Sequence, residues 1–150
     1  SFQNQFTKTT TDANLMETVH HGSAEYPFRY YYENIALFDF KCIDWHWHSE
    51  LEFIYIESGN VVFDIGTVHF ELNEGNGIMI NSKILHRLQS SSDAIIPNFL
   101  FQPSFIAPQD SLIYKKYINP VISSSLEYLV FQPDIPWQKK ALEIDRKSVV

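Results

Sequence analysis

The 150-residue sequence predicts a mainly-β domain of the sandwich or jelly-roll barrel kind. Three observations predict it. Short runs rich in β-branched and aromatic residues recur from Phe28 to about Gln102. Turn signals such as Ser58-Gly59-Asn60, Gly66-Thr67 and Asn73–Gly77 separate them. The 12 Phe, 8 Tyr and 3 Trp supply enough apolar area for one well-filled core.

Each element follows in order. Residues 1–25 are mostly polar and read as an arm, with the adjacent His20 and His21 in solvent. "FRYYY" and "IALFDFKCI" are strand-like. "LEFIYI" is apolar on both faces after Glu52, as in a buried strand. "VVFD" and "VHFEL" flank Gly66-Thr67 as a hairpin, with Val68, Phe70 and Leu72 inward and His69 outward. "IMI", "ILHRLQ" and "AIIPNFLFQ" complete the strands before Pro103, and "LEYLVF" adds one more after it. "DSLIYKKYI" predicts a short helix capped by Asp110, with Leu112, Ile113 and Tyr117 as its apolar side. "DIPWQKKALEIDRK" predicts a second helix, with Trp137, Ala141 and Ile144 on one face against the barrel or a partner.

Charge and composition exclude some roles. The net charge is −7 with no basic stripe, so this chain by itself does not read as a grip for nucleic acid. No apolar run approaches a membrane span. Ser1–His20 lacks the pattern of a secretion signal. Cys42 has no second cysteine to pair with, which fits a reducing cytoplasm. It reads as a small strand residue.

The chemistry concentrates in "DWHWHSELEFIYIESG". Strand alternation puts His46 and His48 on one face, Trp45 and Trp47 on the other. A plain amphipathic strand would bury the tryptophans and leave the histidines in water. A metal site demands more. On one straight strand His48 and Glu52 lie about 13 Å apart, too far to share an ion. The chain must therefore turn at Ser49-Glu50-Leu51, after which His46, His48 and Glu52 converge. His86, on "ILHRLQ", is the best fourth member, although a lone histidine there also suits a satisfied core position. Three imidazoles and a carboxylate suit Fe, Mn, Ni or Zn. Without metal, the same groups suit a small polar ligand such as a sugar or a carboxylate.

These residues resemble the first cupin motif: His46, His48, Glu52 and Gly59 stand at its spacing, with Phe40 where a Gly is usual. "GNGIMINSKILH" resembles the second, with Gly75 and His86 in place. Asn81, Lys83 and Ser90 depart from its usual Pro, Gly and Asn. Residues 24–144 resemble the N-terminal sensor domain of AraC-type transcription regulators. The resemblance implies a cupin (double-stranded β-helix, jelly-roll) barrel over residues 26–134, the arm at 1–25, and a C-terminal helix over 135–150 leading to a DNA-binding domain beyond this sequence. It implies a small-molecule effector, a homodimer, DNA contact only through that helix-turn-helix domain, and no catalysis. His46, His48, Glu52 and His86 become the ligand-binding or metal-binding set. The competing reading is a stand-alone metal-dependent cupin enzyme, a dioxygenase or isomerase.

Overall fold

In the computed structural model, residues 8–19, 21, 27–136, 138–140 and 142–143 are described. Among them nine strands form two antiparallel sheets. They are β1 (Phe28–Asn34), β2 (Cys42–His46), β3 (Leu51–Tyr55), β4 (Asn60–Ile65), β5 (Val68–Asn73), β6 (Gly77–Ile80), β7 (His86–Gln89), β8 (Ile95–Phe101) and β9 (Tyr128–Phe131). The order is β1-β8-β3-β6-β9 in the larger sheet and β2-β7-β4-β5 in the smaller. The chain changes sheet at nearly every connection, the winding of a jelly roll.

Period-2 alternation fills the space between the sheets. On β8, Ile96, Asn98 and Leu100 point inward while Ile95, Pro97 and Phe99 stay half-buried. Ile54, Ile56, Val61, Phe63, Ile65, Ile78 and Ile80 are fully buried and form one cluster with Leu88 and Ile96. Each contributes about 1.5–3 kcal/mol of transfer free energy. Gly59 keeps the β3–β4 turn tight: its φ is +84° and a Cβ would lie 2.4 Å from the Asp93 carbonyl oxygen.

Several expectations need correction. "IALFDFKCI" is strand only from Cys42. Before it, 3₁₀ turns span Ile35–Leu37 and Asp39–Lys41. The Asn34 side chain accepts from the Ala36 N–H at 3.0 Å and opens the first turn. Phe40 and Lys41 then take φ of 58° and 51°, which ends any extended path. The helical segment after Pro103 includes a π turn (Tyr114–Ile118) and α1 (Asn119–Ile122). Ser111, not Asp110, starts it, its Oγ accepting from the Tyr114 N–H at 3.1 Å. Its buried side is Tyr114 and Ile118, packed on Ala107, while Leu112, Ile113 and Tyr117 are exposed. The expected stripe was one residue out of phase with the i, i+4 pair that packs.

The described part of the last helix, within 136–143, packs Leu142 on the barrel. A Cβ on Gly77 would sit 2.5 Å from Leu142 Cδ2, so the Leu142 side chain packs directly over the glycine of β6. Trp137, Ala141 and Ile144 lie outside the described residues.

Candidate functional site

The site begins with a bulge. β2 pairs with β7 at Ile43↔Leu88 and again at His46↔His86, three steps against two. An odd separation should put Ile43 and His46 on opposite faces. The extra residue at Asp44–Trp45 resets the alternation, and both line the interior cavity. His46 and His48 are buried, while Trp45 and Trp47 remain half-buried, so the plain amphipathic reading is reversed. The chain then leaves the small sheet and enters the large one at Leu51. This turn is held by His48 and Ser49 carbonyls, which accept from the Lys83 N–H at 2.8 Å and Ser82 Oγ at 2.6 Å. Glu52 thereby enters from β3 and His86 from β7.

The four side chains converge, with one potential ligand atom from each within 4.8 Å of the others. His48 Nε2 and His86 Nε2 lie 3.2 and 3.1 Å from the same Glu52 Oε1. The far side of each ring is the informative one. His46 Nδ1 faces the Asp44 carbonyl at 2.7 Å, His48 Nδ1 the Glu50 carbonyl at 3.1 Å, and His86 Nδ1 the Ile84 carbonyl at 2.7 Å. A carbonyl only accepts, so each Nδ1 carries a proton and a neutral ring turns its Nε2 lone pair inward. Two such lone pairs against one carboxylate oxygen repel unless a proton or a metal ion lies between them. The donor set therefore fits a divalent transition metal, with main-chain carbonyls fixing the ring orientations as in known metal sites.

Electrostatics follow from the same contacts. Burial disfavours charge on His46, and the neighbouring His86 and His48 add to this, so its pKa is well below the usual value. Burial also opposes charge on His48. Its bond to Glu52 and the charges of Glu52, Glu17 and Glu50 outweigh burial and raise it to about 9. Burial likewise opposes the Glu52 carboxylate, but the bonds from His48 and His86 hold its pKa well below the ordinary range. Behind His48, buried Glu50 accepts from Gln102 Nε2 at 3.1 Å through Oε1, and its Oε2 has no hydrogen-bond partner.

A cavity of about 60 Å³ adjoins the cluster, room for roughly four to six waters at ~10–15 Å³ each. His46, His48 and Glu52 form part of its wall, and Tyr31, Glu33, Phe38 and Asn98 another. Ile43, Leu88, Ile96 and Leu100 add an apolar part, and the arm closes another side. Lys8, Thr9, Thr10, Glu17, Val19 and His21 line the cavity. Main-chain bonds fasten the arm to Trp47, whose N–H donates to Leu15 at 3.0 Å and whose carbonyl accepts from Glu17 at 2.8 Å.

His21 is therefore not in solvent. It is buried, with Nε2 2.7 Å from Glu17 Oε2, Nδ1 2.6 Å from the Tyr31 hydroxyl, and its ring centroid 5.9 Å from that of His48. A histidine in a polar tract carries no periodicity to reveal this. Glu33 and Asn98 were also missed, although a lone polar residue between Ile96 and Leu100 on an alternating strand is such a signal. Burial pushes Glu33 up to about 7 against the opposing bond from Asn98, and the charges of Glu52 and Glu17 raise it further. His69 is exposed on the outer face, hydrogen-bonded to Asp64, and Cys42 is a half-buried residue of β2.

Two sheets closed around inward-facing histidines and a glutamate define the class: this is a cupin barrel. The family model of the AraC-like ligand binding domain matches residues 39–107, which include all four cluster residues. The chain is 32% identical over 139 residues to YdeC of Bacillus subtilis (strain 168), an uncharacterized HTH-type transcriptional regulator. That alignment covers 91% of this chain, and the chain spans about half the length of that relative, 47%. Among solved structures, ToxT from Vibrio cholerae aligns over 79% of this chain and 47% of its own, with TM-score 0.51 and 15% identity, and shares the fold. A cupin-2 domain protein from Shewanella frigidimarina aligns over 56% of this chain and 84% of its own, with TM-score 0.45 and 16% identity. Residues 39–107 are thus similar to the AraC-like ligand-binding domain, and the chain as a whole is similar to an HTH-type transcriptional regulator.

Proposed function

We propose that this domain senses a small effector in its barrel cavity and reports its presence to the DNA-binding part of a transcription regulator. The observation that carries this reading is the set of three imidazoles and one carboxylate turned toward one point beside a cavity. His46, His48, Glu52 and His86 would hold a divalent transition metal (Zn, Fe, Mn or Ni), which would serve as a Lewis acid for an oxygen atom of the effector. The protein's own residues orient that set through the carbonyls of Asp44, Glu50 and Ile84.

Residues 1–25 act as the arm over the cavity mouth, 26–134 as the sensing barrel, and 135–150 as the start of the link to the DNA-binding portion. The domain works as a homodimer in the cytoplasm, and DNA is touched only by the other portion. An effector moves the regulator between two states only as far as its affinities for them differ. Among the described residues no helix is long and apolar enough to cross a membrane.

A second reading rests on the same cluster: a metal-dependent cupin enzyme such as a dioxygenase or isomerase. Calorimetric titration against sugars, small organic acids and amines, with metal analysis of protein purified without chelator, separates the two. The sensor reading expects an effector that binds without being consumed. In His46→Ala and Glu52→Ala its affinity, or that of the metal, falls with modest loss of stability. Turnover of a bound compound with stoichiometric metal supports the enzyme. If both variants bind like the parent, the cluster is not the binding site.

A further inference from the structure

The cavity has a second polar wall that the metal cluster does not use. Glu33 reaches it from β1, where its Oε1 accepts from Asn98 Nδ2 at 2.8 Å. Asn98 is itself fixed, donating to the Ile96 carbonyl at 2.9 Å. The other carboxylates of the cavity wall are already matched: Glu17 with His21 at 2.7 Å, and Glu52 with His48 and His86. Glu33 forms no ion pair among the described residues. Lys8, at the rim, is mostly exposed and faces Asp39 at 3.9 Å.

A half-buried carboxyl on a cavity wall with no cation beside it is costly to keep charged, and sequences seldom keep one unless something completes it. Phe38 and Tyr31 share this wall, and aromatic faces attract cations. An anionic group would meet Glu33, Glu17 and Glu52 together. Accepting the cavity as the effector site, we propose that Glu33, held by Asn98 and flanked by Phe38 and Tyr31, receives the ammonium group of the effector. The effector is then a small primary amine of a few heavy atoms, its far end directed toward the histidine cluster.

The test uses three probes of similar size: ethanolamine, ethylene glycol and glycolate, which present an ammonium, a hydroxyl and a carboxylate. Ligand-observed NMR titration is run on chelator-treated protein, so that amine coordination to a metal cannot imitate the effect. Ethanolamine should bind about tenfold tighter than either of the others. Glu33→Gln keeps an acceptor for Asn98 and should abolish that preference, while zinc binding stays as in the parent. Phe38→Leu should weaken ethanolamine alone. Equal or tighter binding of glycol or glycolate, absence of ethanolamine binding, or a preference that survives Glu33→Gln would overturn the proposal. A different effector found in the broad panel would leave the sensor reading standing and still overturn this one.

Discussion

The two ends of the barrel interior are built by the same strands and treat polarity in opposite ways. One end is dry: Ile54, Ile56, Phe63, Ile65 and Ile78 have no accessible surface and belong to one apolar cluster. The other end buries His46, His48, Glu52, His86 and Asn98 beside a cavity. Alternation alone would have continued the aliphatic filling. The bulge at Asp44–Trp45 and the sheet change after His48 swap it for a polar set that costs desolvation and leaves space. The difference teaches where stability and function lie. The dry end holds the sheets together, and the wet end keeps groups that a fold chosen only for stability would discard.

That contrast can be broken at three points. The largest effect belongs to the dry end: Phe63→Ala removes a fully buried ring from both the β4 wall and the stack with Phe70, and should cost about 3–5 kcal/mol in chemical denaturation. A loss below about 1 kcal/mol would mean that the core does not carry the fold.

At the wet end the sign reverses. The folded-state pKa of Glu33 is raised from 4.5 to about 7, so folding favours the protonated carboxyl over the carboxylate, and stability falls as pH rises from the unfolded value through the folded one. Glu33→Gln lacks that loss. It should match the parent near pH 4 and exceed it above pH 7, by on the order of 1–3 kcal/mol. A variant less stable than the parent at pH 8 would show that Glu33 is structural.

The smallest effect sits outside both ends. Phe40 is 98% exposed and holds φ 58° where cupins usually have glycine. Phe40→Gly relieves left-handed strain without losing packing and should raise stability by about 0.5–1 kcal/mol. A decrease would mean that the exposed ring has a contact worth more than the strain.

Much of the site was legible because metal-type chemistry restricts residue types and spacing. Two histidines one residue apart, a glutamate four residues on and a turn forced between them follow from reach alone, and His86 was found as the remaining inward candidate. The need for the turn was readable, whereas the bulge before it was not, since "CIDWH" is equally compatible with a straight strand. The arm was opaque for another reason: His21 and Glu17 are placed by contacts with Tyr31 and Trp47, which no local pattern encodes. Helix phase after Pro103 failed because Tyr114 and Ile118, not the more hydrophobic Leu112 and Ile113, face inward. Burial there follows where the preceding turn aims the helix. Strand existence was readable almost throughout; its limit was the stretch from Ile35 to Lys41, where strand-forming side chains sit on a backbone turned by Asn34 and Phe40.

The central claim is that His46, His48, Glu52 and His86 point their free atoms at one place that a cation can fill. Titration of chelator-treated protein with cobalt(II), followed by visible absorption, tests it most directly. One equivalent should bind with bands of nitrogen and oxygen ligation, and His86→Ala should lower the affinity by more than the ~10–100-fold typical of outer-sphere partners. No cobalt spectrum in the parent, or the same spectrum and affinity in His86→Ala, would contradict the account.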